Sequence, residues 1–139
     1  MVTAITPKSE SLTLWKNFVK TGSVANVPEH IARSWLRCRD ADVKVNEISP
    51  PQLNASDLQK EYNRSIDFNR LLITHNKIFQ KQYPNIPIAM FITNTEGHIL
   101  SVQGHDIVIK AIEQSPLDVG TSTNEFSIGT SAPSISLAE

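Results

Sequence analysis

A chain of 139 residues has the size of one ordinary domain, which leaves room for a single core with an appended helical arm and excludes two large independent domains. Hydrophobic residues make up 40% and charged residues 19%, the balance of a folded globular protein rather than a disordered or membrane-embedded one. The net charge is -1 and Lys and Arg never run beyond pairs, so the basic footprint of a nucleic-acid-binding surface is missing and no direct DNA contact is expected from this segment.

The longest apolar runs have the length of a strand, well short of the ~20 residues a membrane span needs. The N-terminus lacks a charged-then-apolar export signal, so no membrane association and a cytoplasmic location are expected. The single cysteine, Cys38, excludes an internal disulfide and suits a reducing compartment.

Residues 9–20 place Leu12, Trp15, Phe18 and Val19 near helical spacing, with Ser9 or Ser11 as N-cap and Gly22 just past the end. A second amphipathic helix is expected after Asn26, with Pro28 in its first turn and Ile31, Trp35 and Cys38 on one face. Arg33, Arg37 and Arg39 fall mostly on other faces. Pro50 and Pro51 then break the chain, and Ser56 with Asp57 opens the longest helical pattern, which runs to about Gln82.

At ~1.5 Å per residue that helix exceeds about 35 Å, more than a small domain needs for its own core. Part of it is therefore expected to pack against a second copy of the chain. Trp15, Trp35, Tyr62 and Leu72 are the residues assigned to such a homodimer interface; the helical spacing of Trp15, Phe18, Trp35 and Tyr62 favours core or interface over an aromatic ligand cage.

Beyond Pro84 and Pro87 the pattern changes. IAMFIT is β-rich, NTEG is a turn and HILSVQ alternates, which predicts a β-hairpin. Its first strand is apolar on both faces and calls for a layer above and below. Asp106 is expected to cap a short helix, IVIKAIEQ, that Ser115-Pro116 ends. The remaining tail is rich in Gly, Ser and Thr, with a helix expected from near Ile128; no internal repeat is present.

Candidate chemistry is sparse. His30, His75, His98 and His105 show no metal-ligand spacing, although His98, His105 and Asp106 would converge if they shared one end of the hairpin. Cys38 lies between Arg37 and Arg39, which favours a thiolate, yet it also sits on the apolar stripe with Ile31 and Trp35, which favours burial and packing. Ser127, Thr130, Ser131, Ser134 and Ser136 lack a nucleophile elbow and an evident base, so they read as caps or neutral hydrogen-bonding groups. No metal, no cofactor, no phosphate-binding loop and no enzymatic activity are expected. The wall of a small pocket is assigned instead to Ala89 and Phe91 on the hairpin strand, opposite Glu125, Thr130 and Ser131.

Two segments carry a family resemblance. IARSWLRC, with Trp15 and Phe18 upstream and Asn69-Arg70-Leu71-Leu72 downstream, resembles the N-terminal signature of bacterial transcription activators of the acetoin-catabolism and dihydroxyacetone-operon type, which are sigma-54-associated or related. NEFSIGTSAPSISLAE resembles the family stretch E-x-x-x-G-T-N-A-I-G-T-A-L through Glu125, Ile128, Gly129, Thr130, Ala132 and Leu137, with Gly120 matching a preceding glycine. It departs at Ser131, Pro133, Ser134, Ile135 and Ser136. The intervening IPIAMFITNTEGHILSVQG resembles the first hairpin of a GAF domain.

The resemblance implies an α+β architecture: a helical N-terminal region over 1–83, followed over 84–139 by the first part of a GAF-like, PAS-related antiparallel sheet with flanking helices. It implies a sensor that binds a small-molecule effector and modulates a downstream AAA+ ATPase and DNA-binding module absent from this chain. A protein-interaction and dimerisation module without a working pocket is the alternative. In the family the GAF domain continues past the Gly-Thr segment, so the chain is expected to be a fragment.

Overall fold

A computed structural model describes residues 8–44 and 48–139. In chain order the elements are α1 (Lys8–Thr21), α2 (Glu29–Asp40), α3 (Ala55–Arg64), α4 (Ile66–Gln82), β1 (Ala89–Thr93), β2 (Ile99–Gly104), α5 (Asp106–Glu113), α6 (Glu125–Ile128) and α7 (Ala132–Ala138). The α+β class expected from the sequence is the one observed, with a two-stranded antiparallel sheet among the described residues.

α1 begins at Lys8, so Ser9 and Ser11 lie inside its first turn rather than before it. Gly22 ends it with φ +73°, the left-handed conformation that only glycine adopts without strain, and donates its N–H to the Phe18 carbonyl at 2.7 Å. α2 follows a short turn with Pro28 as its N-cap. The two helices meet through their aromatic residues. Trp15 stands edge-on to Trp35 with centroids 5.0 Å apart, and Phe18 lies 5.2 Å from Trp35. Phe18, Trp35 and Cys38 are buried, and these large side chains supply most of the apolar gain of this corner.

The long helical pattern is two helices. It starts at Asn54, whose side chain accepts the Asp57 N–H, and not at Ser56. It is interrupted at Ser65 (φ -103°, ψ 14°), where the N–H is shared between the Glu61 and Tyr62 carbonyls, each at 3.1 Å. The Ser65 carbonyl in turn accepts both the backbone N–H of Asn69 and its side-chain amide, at 3.0 and 3.3 Å. The Asn69 side chain thus competes with its own backbone for the Ser65 carbonyl, at the point where the ladder is interrupted. The break shortens the continuous rod but leaves Phe68, Leu71 and Ile78 exposed along α4.

α4 packs against both strands. The hairpin pairs Ala89 with Gly104, Phe91 with Val102 and Thr93 with Ile99, with an irregularity between Ile92 and Thr93. At its turn the Asn94 side chain accepts the N–H groups of Glu96 and His98, and Gly97 adopts φ +86°. The expectation of layers on both faces of β1 is met on one. Ile92 shares a shallow cavity with Ser65 and Phe68, whereas Phe91 is 40% exposed.

Three distant segments lock the centre. Gly120 donates its N–H to the Ile99 carbonyl and Ile99 donates to that of Thr121, while Ser122 donates to Pro51 and Leu53 donates to Gly120. Ile99, Leu100, Thr121, Ser122 and Thr123 are all buried there, their polar groups satisfied by this backbone weave. α5 is capped by His105, whose Nδ1 accepts the Ile107 N–H, so Asp106 is its first residue and not its cap.

The helix expected from near Ile128 is instead a pair. Asn124 caps α6, Gly129 ends it with φ +73°, and Ser131 with Ser134 forms a reciprocal capping box at the start of α7. A left-handed residue cannot be accommodated in a continuing helix, which is why the two separate at Gly129.

Candidate functional site

α2 is the hub of the most structured polar site. From its buried side Ser34, Arg37 and Cys38 project toward α6 and the Gly129–Ser131 turn, with which α2 packs. Arg37 grips Glu125 bidentately, Nε to Oε2 at 2.7 Å and Nη2 to Oε1 at 2.8 Å, while its Nη1 donates to Glu139 at 3.2 Å. Arg33 also reaches Glu139 and, one turn back, Glu29. Glu125 is only 3% exposed, so its charge depends on Arg37. The guanidinium hydrogen bond holds its carboxyl below the usual carboxylate value against the opposing effect of burial, with help from the Ser34 hydroxyl.

Ser34, fully buried, shares a 2.8 Å hydrogen bond with Thr130. The Cys38 thiol donates to the Glu125 carbonyl at 3.7 Å. Burial pushes that thiol up from its ordinary value, so the packing reading of Cys38 describes its surroundings: Arg37 is engaged with Glu125 and Arg39 with Asp40 and the Phe18 ring face. Beside this polar seam lies a cleft of about 340 Å³, lined by Trp15, Trp35, Cys38 and Val43 on one side and by Ser127, Gly129 and Thr130 on the other. A second, more polar cleft of about 440 Å³ runs between α3 and the hairpin turn, past Asp57, Glu61, Arg64 and Asn94.

The structure therefore brings Glu125 and Thr130 together with α2, leaves Ser131 as the cap of α7, and joins Trp15 and Trp35 to the same region. Ala89 and Phe91 lie elsewhere, on β1 across from Gly104 and Val102. Of the remaining assigned residues, Leu72 is buried on α4 and Tyr62 half-buried on α3. His98 and His105 flank opposite ends of β2 and do not converge, and no group of three or more metal-ligating side chains occurs among the described residues. Arg37 is the residue that sequence reasoning left out. Its partner is 88 positions away, and no local pattern marks such a pair.

No family model matches the chain. It is 28% identical over 127 residues to the acetoin dehydrogenase operon transcriptional activator AcoR of Bacillus subtilis (strain 168), an alignment that covers 87% of this chain and 20% of that protein. The fold is similar to a chain of the crystal structure of the E. coli DhaR(N)-DhaL complex, with a TM-score of 0.70, 24% identity, and coverage of 80% of this chain and 38% of that one. The chain thus spans about a fifth of the length of the curated relative it matches. None of the described helices is long and apolar enough to cross a membrane. In sequence and in fold, the chain resembles the N-terminal region of acetoin- and dihydroxyacetone-type bacterial transcriptional activators.

Proposed function

We propose that this chain is the signal-sensing region of a bacterial transcription activator, a non-enzymatic cytoplasmic module that binds a small metabolite and biases a downstream AAA+ ATPase and DNA-binding module. The observation that carries the reading is the similarity to AcoR along 87% of the chain, together with a fold close to that of the DhaR N-terminal region. On this reading residues 84–139 form part of a GAF-like sensor and residues 1–83 its helical lead-in, in an activator of the sigma-54-associated type. Glu125, Thr130 and Ser131 would be the polar groups carried by the second segment of resemblance, while Ala89 and Phe91 on β1 stand apart from them.

The mechanism is a shift of population. A ligand that prefers one arrangement of α2 against the 125–139 segment changes the stability of that arrangement by its differential affinity alone. Arg37 and Glu125 are the pair through which such a preference would be felt, because they tie the helical lead-in to the Gly-Thr segment.

A second reading is a protein-interaction and dimerisation module. It is supported by the exposed Phe68, Leu71 and Ile78 of α4 and by the neighbouring fold having been solved in complex with DhaL. Thermal denaturation against a panel of small polyols, ketones and organic acids separates the two. Saturable stabilisation by one compound is the expected outcome. A melting temperature that responds to none of them, but rises with protein concentration, would favour the interaction module, and light scattering would then report a homodimer.

A further inference from the structure

We propose that the cleft between the α1–α2 aromatic pair and the Ser127–Thr130 turn is a binding site for a compact, neutral molecule with a ring-sized apolar body and a hydroxyl donor. The inference rests on the sensory reading and gives it a place and a ligand chemistry.

The first argument is shape. At about 340 Å³ the cleft falls within the range of small-molecule pockets, and Trp15, Trp35, Val43 and Ile128 give it mainly apolar walls. The space in front of Gly129 is open: a Cβ built there would meet nothing within 4 Å. Gly129 also keeps this wall thin, because its φ of +73° and ψ of -162° belong to a region that is essentially glycine's alone.

The second argument is the direction of the hydrogen bonds. The Ser34 and Thr130 hydroxyls share a 2.8 Å hydrogen bond, so one of their two protons is spent within the pair. Ser127 donates its hydroxyl proton to the Asn124 side chain at 2.9 Å, which leaves the lone pairs of its own oxygen as acceptors. The Ser127 hydroxyl lining the cleft therefore presents an acceptor rather than a donor, and its polar complement is a ligand O–H.

The third argument is charge. Arg37 and Glu125 neutralise each other behind the wall, and Lys44 alone among the described lining residues carries a charge. A cation would meet Lys44 and no lining carboxylate, and an anion would have that single side chain to set against the loss of its hydration.

The site carries its own reporter, since Trp15 and Trp35 are the two tryptophans of the chain and both line it. Titration of the protein with cyclohexanol, followed by tryptophan emission, is expected to give a saturable change. Methoxycyclohexane, which keeps the ring but has no O–H, should bind about tenfold more weakly, the loss expected for one hydrogen bond. Ser127→Ala should bring the two probes within about threefold of each other, and Val43→Phe, which fills the cleft, should abolish the response to both.

A flat titration with both probes overturns the site, as does equal binding of the two probes to the unaltered protein. Tighter binding of cyclohexanecarboxylate overturns the neutral assignment. A metabolite from the thermal panel that stabilises the protein without moving the tryptophan emission leaves the sensory reading standing and places its ligand elsewhere, which also overturns this site.

Discussion

The Arg37 guanidinium holds both carboxylate oxygens of Glu125, at 2.7 and 2.8 Å, and so ties α2 to a segment 88 residues further along the chain. The carboxylate is buried and the guanidinium only partly so, which makes the pair asymmetric. Arg37→Met leaves a buried Glu125 charge without its partner, at a cost of about 3 kcal/mol. Glu125→Gln leaves a guanidinium that retains Glu139 and solvent, and its cost should be clearly smaller. Urea denaturation of the two variants checks the order; equal losses would contradict the asymmetry.

The same pair sets the acid limb of stability. The folded-state pKa of Glu125 is depressed by Arg37, so its contribution is present above the unfolded carboxyl's value and is lost as the pH falls through the folded one. Glu139, held down by Arg33, and Asp57, held down by Lys60, shift in the same direction. Stability should therefore decline once the pH drops below about 4.5, the ordinary glutamate value. In Arg37→Met burial dominates Glu125, and its part of the slope should reverse sign. Denaturation midpoints measured from pH 3 to pH 7 test this.

Cys38 should behave as a packing residue. Burial raises its thiol pKa, so the folded state favours the neutral form and the associated stability is lost as the pH climbs above the unfolded thiol's value. Labelling by a thiol reagent at neutral pH should be slow in the native protein and fast in urea. Rapid native labelling would show a reactive thiolate instead.

Gly104 allows the two strands to approach. A Cβ at this position would lie 2.6 Å from the Ala89 Cα and from the Ile88 carbonyl oxygen, both backbone atoms that cannot turn aside. Gly104→Ala should destabilise by about 1–3 kcal/mol through overpacking. At Gly129 an added methyl meets nothing, so Gly129→Ala isolates the cost of the backbone conformation, about 1–3 kcal/mol. Thermal melts of both variants distinguish crowding from strain: an alanine at 129 that melts like the unaltered protein would remove the strain argument.

Trp35 contacts Trp15 and Phe18 with centroid separations of 5.0 and 5.2 Å. Trp35→Ala should cost about 3–5 kcal/mol as a cavity opens between α1 and α2. Near-ultraviolet circular dichroism should lose most of its tryptophan signal, because the surviving Trp15 is left without its edge-on partner.

Local signals were sufficient for what is local in this protein. Apolar spacing around Trp15 and Trp35, Gly22 past the end of α1, and the turn residues of Asn94–Gly97 made the first helices and the hairpin legible, since each is held by contacts within a few residues. Where two local signals competed, the sequence pattern misled. Ser65 and Asn69 fit a helical stripe as letters, but the Asn69 backbone and side chain both draw on the Ser65 carbonyl, and Gly129 sits inside an apparently helical tail while adopting a conformation no helix contains.

The sequence by itself determined the α+β order of elements, the aromatic faces of α1 and α2, and the segments that carry the resemblance. Only the tertiary structure decided which polar groups meet. Arg37 with Glu125, Ser34 with Thr130, and Trp15 with the Ser127–Thr130 turn are pairs closed by loops of roughly a hundred residues. The free energy of such pairs comes from burial and mutual desolvation, which depend on where the two elements dock and leave no periodicity in the chain.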